Sequence, residues 1–167
     1  VNRSAVSVER EDLEGQDVLT VTNGALQFNV LAEQGGNLIR LQDAQGRTFL
    51  VDNYPDVVPM FFVDHHVGGI QPIVFRRNDN LPTVEPERVE AAVVEKGVWC
   101  GARVSWVVEN IERLKGQHFG LAYLTLPGSS VIRIRIRHHN PTPRRIEWFG
   151  AVVTNIALQG SVEGTVV

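Results

Sequence analysis

The chain has 167 residues, a formal net charge of -3, and 43% hydrophobic and 21% charged residues. Those values describe a globular chain with one sizeable core, and the modest charge and high aliphatic content exclude a disordered segment. No apolar run approaches the ~20 residues of a membrane-spanning helix, and the acidic balance argues against a dedicated nucleic-acid binder, so neither a membrane nor nucleic acid is expected as a partner.

Asp17–Thr22 and Ala25–Leu31 read as two strands, with Leu26, Phe28 and Val30 on one face and Gln27 and Asn29 on the other. Asn23-Gly24 joins them and favours a type I′ turn, because both residues accept positive φ. Gly35-Gly36 turns into a strand Asn37–Gln42, and Asp43–Gly46 turns into another at Arg47–Val51. Asp52–Pro59 is irregular. Met60–Val63 is a short strand, Asp64–Gln71 a loop, Pro72–Arg76 a strand and Arg77–Pro82 a solvated connection. Arg88–Lys96 is ambiguous, since Ala91 and Ala92 allow a helix while Val89, Val93 and Val94 favour a strand. Val98–Asn110 and His118–Leu126 are long strands, with Pro127–Ser130 a turn. Val131–His139 alternates most clearly, Ile132, Ile134 and Ile136 against Arg133, Arg135 and Arg137. Arg144–Leu158 resumes the pattern after Pro141 and Pro143.

Near-continuous period-2 alternation with short turns predicts an all-β fold, an antiparallel two-sheet β-sandwich with little helix. Leu26, Phe28, Val30, Val104, Trp106, Ile132, Ile134 and Ile136 are expected to face inward. Residues 1–167 are read as one β-sandwich domain, a processed chain or part of a larger protein, since no charged segment followed by an apolar one opens the sequence.

The single cysteine, Cys100, excludes an intrachain disulfide and a Cys-rich zinc site, and a free thiol fits a reducing compartment such as the cytoplasm. Cys100 has no evident neighbour to lower its pKa, so it is not expected to be a nucleophile. His65 and His66 are adjacent, as are His138 and His139, and on a strand such neighbours point to opposite faces. No metal and no cofactor are expected.

The strongest local candidate is Asp64-His65-His66-Val67-Gly68-Gly69. It joins an acid and two imidazoles that titrate near neutrality to two glycines that let a ligand approach the backbone. A histidine of this kind could move a proton at a sugar hydroxyl. The competing reading is a surface loop with solvated histidines. Of the three tryptophans, Trp106 alternates with Val104 and Val108 and belongs to the core, whereas Trp99 and Trp148 suit a binding surface, because an aromatic plate matches the apolar C–H face of a sugar. Arg133, Arg135 and Arg137 form either a platform for an anionic sugar, phosphate or nucleic acid, or the solvated face of an outer sheet. The second reading is preferred, because no aromatic residues interleave with the arginines. Their repulsion would be relieved by acids such as Glu109 or Glu147 on neighbouring strands.

Val21–Val30, followed by Gln34-Gly35-Gly36-Asn37 through Asp43, resembles the opening of galactose mutarotase-like domains, with Asp43, Gly46 and Leu50 matching a D-x-x-G-x-x-L hairpin. Ile134–Asn140 and Pro141–Trp148 are similar to a later segment of that superfamily. The resemblance touches about half the chain. It implies a β-supersandwich that holds a carbohydrate on a concave sheet, and in this superfamily the members include aldose 1-epimerases and non-catalytic domains of glycosidases and polysaccharide lyases. Its catalytic pair is a mid-chain His and a Glu near the C-terminus. Here Trp148-Phe149-Gly150-Ala151-Val152 carries no His, and Glu163 lies in a Gly-rich tail, while His66 could match an earlier substrate-side His.

A carbohydrate-binding domain, non-catalytic on its own, is therefore the leading expectation. Its ligand contacts would be His65, His66, Arg76, Trp99, His118 and Trp148. The alternative is a small aldose 1-epimerase-like enzyme using His66 and an acid such as Asp64 or Glu147. A third reading is an assembly domain whose edge strands pair with a partner. A carbohydrate ligand, with a homo-oligomer or a covalently joined domain besides, completes the expected partners.

Overall fold

A computed structural model describes residues 5–33, 35–56, 58–60, 63–75, 89–109, 112, 114–145 and 149–154. Its strands are β1 (Ser7–Leu13), β2 (Gln16–Thr22), β3 (Leu26–Leu31), β4 (Asn37–Asp43), β5 (Val58–Met60), β6 (Val63–His66), β7 (Ile70–Phe75), β8 (Val89–Lys96), β9 (Trp99–Val107), β10 (His118–Thr125), β11 (Ile132–His139) and β12 (Phe149–Thr154). One sheet runs β1-β2-β3-β4-β7-β12, a second runs β11-β10-β9-β8, and β5 pairs with β6 alone. Every pairing is antiparallel. Among the described residues no helix forms, and none is long and apolar enough to cross a membrane. The all-β, two-sheet expectation is met.

The main core lies between the two larger sheets. Leu19, Val21, Phe28, Val30 and Leu38 come from one, and Val104, Trp106, Phe119, Leu121 and Tyr123 from the other. Fully burying an apolar side chain of this size contributes about 1.5–3 kcal/mol. Trp106 stacks on Phe119 with ring centroids 5.9 Å apart. Fully buried Tyr123 donates from its hydroxyl to the Gly36 carbonyl at 2.8 Å, tying the second sheet to the turn that follows β3. Burial pushes that phenol well above its ordinary pKa, so it stays a neutral donor. Gly36 has φ +81°, and a Cβ there would lie 3.1 Å from the Cβ of Val104. The Gly35-Gly36 pair thus serves both the turn and the sheet-to-sheet contact.

A smaller core forms on the other face of the six-stranded sheet. A register shift between Asn29 and Val30 leaves Ile39 without a cross-strand partner, and Ile39 packs with Val18, Leu31, Tyr54 and Val67. Arg40 Nε donates to Asp52 across this layer, and the Tyr54 hydroxyl donates to the Leu13 carbonyl at 3.0 Å.

Several local expectations are corrected. β1 lies upstream of the first expected strand, its side chains mostly exposed because it edges its sheet. Residues 47–51 form no continuous strand: Thr48 bridges Gln42, Leu50 is a second isolated bridge residue, and Phe49 N–H donates to the Leu41 carbonyl at 2.9 Å. Residues 64–71 are not one loop, since β6 and the start of β7 occupy most of it. The ambiguous segment is strand β8. In the first hairpin Asn23 N–H donates to the Leu26 carbonyl at 3.1 Å, making Gly24 and Ala25 the central pair. Only Gly24 takes positive φ, 86°, so the turn has the type II′ glycine pattern instead of type I′. Ile136 is 47% exposed and does not face into the core. It pairs with buried Leu121, and β11 is an edge strand, so cover is lost on one side.

Candidate ligand-binding site

Three hairpin turns meet at one end of the sandwich. They are Asn23-Gly24 between β2 and β3, Gly97-Val98 between β8 and β9, and Leu126–Ser129 between β10 and β11. They surround a cleft of about 1020 Å³ that Trp99, Cys100 and Glu95 also line. Asn23 holds this end together. Its Nδ2 donates to Thr125 Oγ1 at 2.6 Å, to the Ser129 carbonyl at 2.8 Å and to the Leu126 carbonyl at 3.0 Å. Its Oδ1 accepts from the Ala25 and Leu26 amides, and its own carbonyl accepts from Gly128 N–H at 2.6 Å. Thr125 Oγ1 then donates to the Val131 carbonyl at 2.8 Å. Asn23 is fully buried, and these bonds satisfy both ends of its amide.

Trp99 is half-buried and opens β9 opposite Lys96. The Arg133 guanidinium carbon lies 5.6 Å from its ring centroid, a cation–π contact. The register explains the reach. Arg133 pairs with Leu124, and Leu124 with Gly101, which has no side chain and is in phase with Trp99. Cys100 points to the other face. Burial, and then the Glu95 carboxylate, push its thiol above the ordinary value, so it is a weak nucleophile.

The same alternation builds the outer face of the four-stranded sheet in rows. Ala92, Arg103, Ala122 and Arg135 form one row, and Glu90, Ser105, Gly120 and Arg137 the next. Gly120 and Ala122 make a low floor, with Arg103, Arg135 and Arg137 standing along it around a trough of about 150 Å³. The acids expected to offset the arginine stripe are not its neighbours, since β11 pairs here with His118, Gly120, Ala122 and Leu124. Glu109 lies beyond the end of β9, and Glu147 lies outside the described residues.

The expected site residues do not converge. His118 is exposed at the far end of β10 from the cleft, its ring 5.9 Å from that of His139. His65 and His66 sit on β6, next to Val67 of the small core, in the layer beyond the six-stranded sheet. Arg76 and Trp148 also lie outside the described residues.

The glycines after His66 do not open the backbone to a ligand. A Cβ on Gly68 would lie 2.2 Å from the Val51 carbonyl oxygen, and one on Gly69 would lie 2.0 Å from that of Leu38. They admit the protein's own backbone, and Gly69 N–H donates to Val51 at 2.7 Å.

Two features escaped the sequence reading. Arg103 joins the stripe only through the β9–β10–β11 register, across more than twenty intervening residues. Asn23 was read as a turn former, whereas its side chain cross-links the sheets. The alternation of small residues Gly120 and Ala122 opposite arginines was the available signal for the trough.

Together these elements define an all-β protein of two facing antiparallel sheets, with an aromatic and arginine surface on the smaller one. No protein-family model matches the chain, and no curated protein or solved structure matches it.

Proposed function

We propose that this is a carbohydrate-binding β-sandwich domain of galactose mutarotase-like type, non-catalytic on its own, with Trp99 as the sugar platform. The observation that carries the reading is the position of Trp99, lining a large cleft and backed by the Arg133 guanidinium. An indole plate offers a sugar its apolar C–H face, and neighbouring polar groups fix orientation. Glu95 and Ser129, which also line the cleft, carry such groups. Binding is favoured over catalysis for a chemical reason. Opening a hemiacetal takes an acid and a base within hydrogen-bond reach of the anomeric oxygens. Glu95 and Cys100 are the titratable side chains lining the cleft among the described residues, and the thiol is pushed up, away from a useful base.

Calorimetric titration with a panel of neutral and acidic oligosaccharides tests the reading. At least one saccharide should bind, and Trp99→Ala should weaken it by about tenfold, the scale of one well-placed aromatic contact. Binding untouched by Trp99→Ala, or rapid equilibration of glucose anomers by the isolated chain in a polarimeter, would overturn it.

A further inference from the structure

We infer that the outer face of the four-stranded sheet is an anion subsite, with Arg103, Arg135 and Arg137 receiving a carboxylate or sulfate of an acidic saccharide over the floor of Gly120 and Ala122. The inference rests on the carbohydrate reading and names its ligand class.

Arg103 and Arg135 flank Ala122 in one row. Strands lie about 4.7–4.9 Å apart, so their backbones are separated by roughly two strand spacings. That leaves room for a single oxyanion between guanidinium groups reaching inward from both sides. Arg137 stands one pleat along β11 from Arg135, beside Gly120.

The trough of about 150 Å³ equals about five waters at ~30 Å³ each, enough for one oxyanion group. Its floor is low because of residue choice, not strain. A Cβ on Gly120 would meet only ordinary contacts at 3.8 Å, from the Cβ atoms of Arg137 and Ser105 and the Val104 carbonyl oxygen.

Charge points the same way. Lys96 joins the three arginines along the trough, and among the described residues Glu95 is the one carboxylate lining it. Among the described residues Arg103, Arg135 and Arg137 form no ion pair; those present join Arg10 to Asp17, Arg40 to Asp52 and Arg47 to Asp43. The Nε of Arg103 is buried and meets no acceptor among the described residues. A buried guanidinium donor without an acceptor is costly, and like charges on adjacent positions of a sheet repel. An incoming oxyanion relieves the repulsion, and guanidinium groups suit it through paired N–H donors. A saccharide is favoured over a nucleic acid because Trp99 is the single Trp, Tyr or Phe in phase on this face among the described residues, with the imidazoles of His118 and His139 at the far end, whereas single-stranded nucleic acid is held by successive stacking platforms. Trp99 and Arg133 continue the trough toward the cleft, so one sugar can stack while the next is held by its charge.

The test titrates the chain with a sulfated glycosaminoglycan oligosaccharide, an oligogalacturonate, a neutral oligosaccharide of the same length, inorganic sulfate and single-stranded oligothymidylate. The expected result is preference for one or both acidic saccharides. Arg103→Gln and Arg135→Gln should each weaken that binding about 10- to 100-fold, the worth of a charge-assisted hydrogen bond. Gly120→Leu should do the same by filling the trough with no change of charge. Lys115→Gln, which removes a charge from an exposed turn elsewhere, should leave it unchanged. Arg135→Gln alters an edge strand and Gly120→Leu keeps Arg103, so the outcome does not hang on one variant folding.

Equal binding of neutral and acidic saccharides, indifferent to the arginines, would overturn the subsite and leave the carbohydrate reading standing. So would a loss in Lys115→Gln matching that in Arg103→Gln, which would mean general attraction only. Arginine-dependent binding of oligothymidylate or sulfate with no saccharide bound would overturn both.

Discussion

The inner and outer faces of the four-stranded sheet are made by alternate residues of the same strands, yet they share almost no chemistry. Along β10, Phe119, Leu121 and Tyr123 face the core, while His118, Gly120, Ala122 and Leu124 face away. Along β11, Ile132 and Ile134 pack on the core, while Arg133, Arg135 and Arg137 turn outward. One face is apolar and filled, with the Tyr123 hydroxyl paired to the Gly36 carbonyl. The other is cationic and low-floored, and each face carries one unmatched buried donor, Trp106 Nε1 inside and Arg103 Nε outside. On the function proposed above, stability resides on one set of positions and recognition on the other, so substitutions one residue apart should separate them.

The largest effect belongs to the inner face. Leu121→Ala should cost about 2–5 kcal/mol in urea unfolding, whereas Arg135→Gln should stay within about 0.5 kcal/mol. Equal losses would mean that the arginines help hold the fold together.

The second test concerns the cross-link at the cleft end. Asn23→Ala removes the amide bonding Thr125 and the Leu126 and Ser129 carbonyls. About 1–3 kcal/mol should be lost, and hydrogen exchange should accelerate at the β2–β3 and β10–β11 turns, with little change at the His118 end.

The third is a pH effect at that opposite end. His138 Nε2 donates to Gln117 Oε1 at 2.6 Å, and the ring stacks on Phe119 at 4.8 Å. Burial, then the charge of His139, hold its pKa below the ordinary 6.5. The unfolded chain therefore takes up this proton first on acidification. The contribution of neutral His138 is complete above pH 6.5 and declines as pH falls below it toward the folded value. His138→Gln should flatten that part of the stability–pH curve, and an unchanged curve would place the titration elsewhere.

The smallest effect sharpens the boundary between the two faces. Ile136→Ala should change stability by no more than about 0.5 kcal/mol, and Ile134→Ala should cost distinctly more, since Ile134 packs against the core and Ile136 is exposed. Parallel losses in thermal unfolding would show that the edge strand is covered along its whole length.

Much of this fold was legible in the sequence, because strand alternation is a local property. Phe28, Val30, Val104 and Trp106 fall inside as their phase requires, and the clear alternation of Ile132–His139 is strand β11. The same logic marked Trp99 as a surface aromatic. Alternation assigns a face but not how far a neighbouring layer extends over it, and for that reason Ile136, in phase with Ile134, came out exposed.

What lay beyond the sequence depends on partners distant along the chain. Gly68 and Gly69 read as room for a ligand until the carbonyls of Val51 and Leu38 were found pressed against them. Asn23 read as a turn residue because its acceptors, Thr125, Leu126 and Ser129, lie about a hundred residues away. The arginine stripe was visible on β11, but Arg103 and the low floor joined it only through the pairing of three strands. The sequence by itself determined most of the strands, their phase and most of the core, since these follow from period-2 patterning and local turn chemistry. Tertiary structure alone decided which backbones touch, which polar atoms are left unmatched and which charges share a trough, because register and layer packing set those distances.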